Sequence, residues 1–174
     1  MISVIIVTIS DSVVDGTRQD LSGPALQQRC EELGWTVPER IVISDDETAI
    51  ATVLADRVDS DAPDLILTTG GTGVALRDVT PEATRRVLER ELPGVAELIR
   101  AEGREQTKFS VLSRALAGVR KRSLIVNLPG SPKGALHSLN VIADLAHHVV
   151  DLLHGRTDHP EPSPDPTVVE THQT

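Results

Sequence analysis

Two periodicities alternate along the chain. Apolar runs without polar alternation stand at residues 2–9, 65–67 and 123–128, and the first is rich in β-branched side chains. Such runs suit strands covered on both faces of a parallel sheet. Residues 36–43 read as a further strand. Between the runs, apolar residues recur at three- and four-residue steps: Leu26, Cys30 and Leu33, then Ile50, Val53, Leu54 and Val58, then Leu136, Leu139, Ile142, Ala146, Val149, Val150 and Leu153. That is the spacing of helices with one buried face. Strand followed by helix, repeated, predicts a three-layer α/β/α domain with a mostly parallel sheet over residues 1–156. Residues 157–174 turn to Pro, Asp, Thr and Glu without periodicity, and are expected to form a mobile tail.

Local signals place the boundaries. A polar loop after the first strand ends at Ser22-Gly23-Pro24 and leads to a helix closed by Gly34. Ser44 with Glu47 forms a capping box for the next helix. Thr80-Pro81 starts the helix after the third strand, and that helix is expected to run, through Val87 and Leu88, to Leu92-Pro93-Gly94. A polar helix follows over residues 95–106, and residues 108–122, with Ser113-Arg114 and Arg120-Lys121-Arg122, read as a solvated face. The last helix begins at Pro132 and reaches His154.

Two of the strand-to-helix turns are rich in glycine or proline. Gly70-Gly71-Thr72-Gly73 follows the third strand, and Pro129-Gly130-Ser131 follows the strand at 123–128. Glycines let backbone N–H groups approach an anion, and a helix N-terminus adds favourable dipole, so the first turn points to phosphate. It has neither the Gly-Lys-Ser/Thr ending of a P-loop nor the spacing of a dinucleotide fold. Asp78, with Arg77 beside it, belongs to this turn, and a carboxylate among phosphate-binding amides implies a divalent cation joining the two. In the second turn Ser131 is the expected N-cap and Lys133 a point charge.

Composition narrows the partners. A formal charge of −9 excludes a general nucleic-acid or anionic-membrane binder, and Trp35 and Phe109 are the only aromatic residues, so base recognition cannot rest on stacking. No run approaches membrane-spanning length and no basic segment precedes the first strand, which makes the cytoplasm the expected compartment. Cys30 lies on an apolar helical stripe as an inert thiol. His147, His148 and His154 diverge around a helix and lack ligand spacing for a metal.

The string GGTGVALRDVTPEAT at residues 70–84, read with Asn127-Leu128-Pro129-Gly130-Ser131-Pro132-Lys133, resembles the signature of the molybdopterin adenylyltransferase family, the MogA/MoaB-type proteins of molybdenum cofactor synthesis. The resemblance covers residues 1–157. It implies Mg²⁺-dependent reaction of ATP with molybdopterin to give adenylylated molybdopterin and pyrophosphate. By the same resemblance Asp45 and Asp78 position Mg²⁺, partly through water, and Gly70, Gly71, Thr72, Gly73 and Arg114 meet nucleotide phosphates. Ser10, Asp11, Asn127, Pro129, Gly130, Ser131 and Lys133 meet the pterin. Asp45 aligns best with the family's acidic position, with the register to Asp46 open by one residue. A homotrimer, and contacts with other proteins of the cofactor pathway, are implied as well. One rival sits inside the resemblance: a MoaB-type protein that holds the pterin without adenylating it.

Overall fold

The structure, a computed structural model, describes residues 1–156. The expectation for residues 157–174 therefore lies outside the described residues. Strands β1 (Ser3–Ile9), β2 (Thr36–Ile43), β3 (Leu65–Thr69) and β6 (Ser123–Leu128) run parallel, in the spatial order β2-β1-β3-β6. Two antiparallel strands, β5 (Ala117–Arg120) and β4 (Arg90–Glu91), extend the sheet beyond β6. Helices α2 (Ser22–Glu32), α5 (Pro93–Gly103) and α6 (Pro132–Leu153) cover one face, where Leu26, Ile99, Leu139 and Ile142 meet Val4, Leu67 and Val126. Helices α3 (Glu47–Asp61) and α4 (Thr80–Val87) cover the other, where Ile50, Leu54 and Ala83 meet Ile5, Ile66 and Ile125.

The unbroken apolar runs have the burial they predicted: every residue of β3 and β6 is buried, because helices lie on both sides. Strand β2 is the edge, and it alternates exposed and half-buried positions with Pro38 on an exposed one, where a missing N–H costs no ladder bond. Leu54 is fully buried, and Leu54→Ala would cost about 2–5 kcal/mol. Burial pushes the Cys30 thiol up to about 12, as an inert core group requires.

Four local expectations are corrected. The cap of α3 is Asp46, whose carboxylate accepts from Ala49 N at 2.7 Å, rather than Ser44, because the chain bends at Asp45, with Asp46 N on Ser44 O at 2.8 Å, and the helix starts only at Glu47. The polar loop after β1 contains a short helix, α1 (Asp11–Val14), with Ser10 as its N-cap. Helix α4 stops at Val87, since Leu88 turns extended and Glu89 N donates to Val119 O at 2.9 Å, which starts β4. Residues 108–122 form a 3₁₀ turn (Lys108–Leu112) and then β5, and their basic run is ion-paired: Arg120 and Lys121 both meet Asp59.

Candidate functional site

Chain reversal occurs between β1 and β3, since β2 lies to one side of β1 and the later strands to the other. Ligands of open α/β sheets bind at such a point, beyond the carboxyl ends of the strands. Four loops meet there. Ser10 N donates to Ile43 O at 2.9 Å, joining the ends of β1 and β2. Gly70 N donates to Leu128 O at 3.2 Å and Thr69 Oγ1 to Pro129 O at 2.7 Å, joining the ends of β3 and β6. Gly70 has φ +105°, and a Cβ there would collide with the Ile9 carbonyl, so only glycine lets β3 turn this tightly across β1. Gly130 is tight to a lesser degree: its Cβ would lie 3.2 Å from Gly70 Cα.

Acidic groups flank the glycine turn. A Cβ on Gly71 would lie 3.1 Å from Asp45 Oδ1, and one on Gly73 would lie 2.8 Å from Asp78 Oδ2. Of the two adjacent acids, Asp45 faces the turn, while Asp46 is spent on capping α3. Asp45 Oδ2 accepts from Asp11 N, and Asp11 Oδ1 accepts from Asp45 N. Burial raises the Asp45 carboxyl above its ordinary value, and the charges of Asp11 and Asp78 add to the rise against the N–H of Asp11 and the more distant Arg77. Asp11 moves the other way, lowered by its hydrogen bonds from Arg77 and then by the N–H of Asp45. Arg77 grips it through Nε at 3.0 Å and Nη2 at 2.7 Å.

Two cavities share Ser131 in their linings. One, of about 390 Å³, is lined by Ser10, Arg18, Asp20, Thr69, Gly130 and Pro132. The other, of about 340 Å³, is mostly apolar and is lined by Thr72, Gly73, Val74, Phe109, Pro129 and His137. Ser131 touches both, and caps α6 by accepting from Gly134 N at 3.2 Å. Lys133 is exposed on the first turn of α6 and has no ion pair among the described residues.

Two of the expected contacts take different roles. Asn127 is fully buried: its amide donates to Thr68 Oγ1 and Thr84 Oγ1, both at 2.9 Å, and its carbonyl accepts from Leu116 N at 3.1 Å. Its side chain therefore ties the sheet to α4 and offers nothing to a ligand. Arg114 is turned onto the protein, with Nε on Gly73 O at 2.7 Å, Nη2 on Asp78 O at 2.5 Å and Nη1 on Glu82. That bond from Arg114 holds the Glu82 carboxyl below its ordinary value in spite of burial, which acts to raise it.

Asp20 and Glu82 are the residues that sequence reasoning passed over. Asp20 accepts from Thr8 Oγ1 and Gly23 N, both at 2.9 Å, and so ties the first turn of α2 to β1 at the lining of the larger cavity. The Asp-x-x-Gly spacing was a usable signal. Glu82 had none, since its partner is 32 residues away.

The family described as "Probable molybdopterin binding domain" matches residues 5–148. The chain belongs to that molybdopterin-binding family. Among its relatives, molybdopterin adenylyltransferase of Helicobacter pylori strain J99 is 39% identical over 152 residues, 86% of this chain and 86% of its own length. The enzyme of the same name from Escherichia coli K12 is 40% identical over 153 residues, 86% of this chain and 77% of its own. Among solved structures, MoaB of Thermus thermophilus, titled a molybdopterin biosynthesis enzyme, superposes with a TM-score of 0.84 at 45% identity, covering 89% of this chain and 98% of that one. The molybdopterin biosynthesis Mog protein of Mycobacterium ulcerans gives 0.82 at 39% identity, covering 88% and 99%. The molybdopterin-binding fold is thus the three-layer α/β architecture read from the periodicities.

Whether the acid pair fits Mg²⁺ is a question of donors. No group of three or more His, Cys, Asp or Glu side chains among the described residues is arranged to hold a metal. Mg²⁺ rarely uses such a cage, being held by one or two carboxylates with waters and substrate phosphate. Asp45 and Asp78 fit that donor set; burial first, and then the charges of Asp11 and Asp78, raise the Asp45 carboxyl, and a divalent cation would offset both.

Proposed function

We propose that this protein adenylylates molybdopterin with ATP, releasing pyrophosphate. The observation that carries the reading is the placement of Asp45 and Asp78 beside Gly71 and Gly73, where the turns from four neighbouring strands meet, in a chain whose relatives are named molybdopterin adenylyltransferase. The attacking group, the terminal phosphate of the pterin, is ionised at neutral pH, so the reaction needs no general base. It needs two anions aligned and the charge at the α-phosphate neutralised. Asp45 and Asp78 would hold Mg²⁺, which when bound supplies that neutralisation. The N–H groups of residues 71–73 cradle nucleotide phosphate, while Gly70, whose own N–H is spent on Leu128 O, shapes the turn. Ser10, Gly130, Ser131 and Lys133, which has no ion pair among the described residues, orient the pterin phosphate, with Ser131 lining both cavities.

The setting completes the proposal. No helix among the described residues is long and apolar enough to cross a membrane, and we place the protein in the cytoplasm. A homotrimer is supported by exposed apolar side chains at Val74, Leu76, Phe109, Val111 and Leu112 on the site's flank and at Leu145 and Leu152 on α6. Light scattering reads it directly, and contacts with other proteins of the cofactor pathway would use what remains exposed.

The deciding experiment gives the full chain molybdopterin, ATP and Mg²⁺, then measures pyrophosphate and the mass of the pterin product. Stoichiometric release with an adenylylated pterin is expected. Tight pterin binding without release would instead identify a pterin-holding protein. Asp78→Asn should bind pterin and lose most release; near-normal turnover would overturn its assignment.

A further inference from the structure

Arg114 reaches the site from the segment between the 3₁₀ turn and β5, and every polar contact it makes is to the segment from Thr72 to Glu82. Its N–H donates to Thr72 O at 2.9 Å, Nε to Gly73 O at 2.7 Å, Nη2 to Asp78 O at 2.5 Å, and Nη1 to Glu82. At the far end of the bridged segment Thr80 N donates to Gly71 O at 3.1 Å and Thr80 Oγ1 to Gly70 O at 2.9 Å, and Val79 packs on the core; the stretch from Val74 to Asp78 has less to hold it. Val74 is 71% exposed and Leu76 fully exposed, so packing does not fix its path. Within it, Asp78 Oδ2 accepts from Ala75 N at 2.8 Å and Asp78 N donates to Ala75 O at 3.0 Å, which sets the turn's shape but not its place in the fold. Between Gly73 and Asp78, the ties to the rest of the fold come from two arginines. Arg77 ties the tip to Asp11, and Arg114 pins both ends.

We infer that Arg114 is a positioning residue: it fixes the Asp78 carboxylate beside the glycine turn, rather than contacting substrate phosphate itself. A planar fork suits the task, since three N–H groups in one plane reach carbonyls at both ends of a turn and a carboxylate on the following helix, which an ammonium cannot do. Glu82 keeps the fork in register, because Oε1 holds Nη1 while Nε and Nη2 face the two carbonyls. A phosphate on Arg114 would have to displace these partners, whereas Lys133 has no ion pair among the described residues. The role in catalysis rests on the adenylyl-transfer reading, but the placement of Asp78 does not.

The test compares wild type with Arg114→Lys, which keeps the charge and loses the fork, and with Glu82→Gln. Hydrogen exchange at amides 74–79 should speed by at least about tenfold in Arg114→Lys while β1, β3 and β6 keep their protection. Mn²⁺, used as the probe cation in the presence of ATP, should bind about 10–100-fold more weakly, with pterin affinity unchanged. Glu82→Gln should move both readouts the same way by less, and the double variant should fall short of the sum. Unaltered exchange in the turn, or faster exchange with wild-type Mn²⁺ affinity, overturns the inference. Loss of ATP affinity with unaltered exchange overturns it in favour of direct phosphate contact. Absence of pyrophosphate release in wild type would sink the proposed reaction, yet exchange and Mn²⁺ binding would still judge Arg114.

Discussion

Asp11 and Asp45 hold each other's backbone. Asp11 N donates to Asp45 Oδ2 at 2.9 Å and Asp45 N to Asp11 Oδ1 at 3.0 Å, a reciprocal pair joining the ends of β1 and β2. Each carboxylate thus neighbours the other, with opposite outcomes: Arg77 keeps Asp11 ionised, and Asp45 has no cation of its own in contact. The arrangement sets up an acid that the fold itself destabilises.

Asp45→Asn should therefore separate stability from function. A carboxyl whose folded pKa is raised costs stability while ionised, and the cost fades as pH falls through the raised value. At neutral pH the substitution removes that cost, and an asparagine carbonyl can still accept from Asp11 N. Solvent screening keeps the gain small, on the order of 1–2 °C in Tm. Pyrophosphate release should drop by more than about a hundredfold, the scale of losing one charge-stabilising group. Thermal melts beside a turnover assay check both halves.

Arg77→Ala acts on the opposite sign. Asp11, lowered in the folded state, contributes stability that is present above its unfolded pKa and is lost as pH falls through its folded value. Without Arg77 that value rises towards the unfolded one, so the variant should have less stability near neutral pH and lose less of it in acid. Tm followed between about pH 2 and 6 should start lower in the variant and converge on wild type as pH falls; superimposable curves would mean the pair is no more than a solvated contact.

Asn127→Leu should harm the fold more than the site. Leu116 N loses its acceptor, and Thr68 and Thr84 lose a donor, all in the interior. The cost should be about 2–4 kcal/mol by denaturant unfolding. Pterin affinity of the fraction that stays folded should hold; selective loss of pterin with stability intact would restore Asn127 as a ligand contact.

Glycines at Gly70 and Gly16 form a matched pair. Both have positive φ, but a Cβ at Gly16 meets nothing within 4 Å, whereas at Gly70 it meets the Ile9 carbonyl. Gly16→Ala should cost about 1–2 kcal/mol, the backbone penalty alone. Gly70→Ala should cost clearly more and prise β3's turn from β1, with loss of nucleotide binding, as calorimetry with ATP would show.

How much of this was written locally can be judged residue by residue. Strands β2 and β6 had the bounds expected of them, and β1 and β3 nearly so, since an apolar run between turn residues has few other stable states. Strands β4 and β5 were not legible: Arg90-Glu91 is polar, Ala117-Gly118-Val119-Arg120 carries a glycine, and they become strands through backbone partners, β5 on β6 and β4 on β5. Gly118 is part of that reason, because a Cβ there would sit 2.5 Å from Arg90 O.

The site divides the same way. By itself the sequence determined the layered fold, the glycine turn, and a short roster of acids and polar groups near it, because periodicity and turn chemistry are properties of neighbouring residues. Tertiary structure decided that Asp45 and not Asp46 faces Gly71, that Asn127 is spent inside, and that Arg114 grips the turn. Those choices depend on which groups strand order brings within about 3 Å of one another, and no window of local sequence contains both partners.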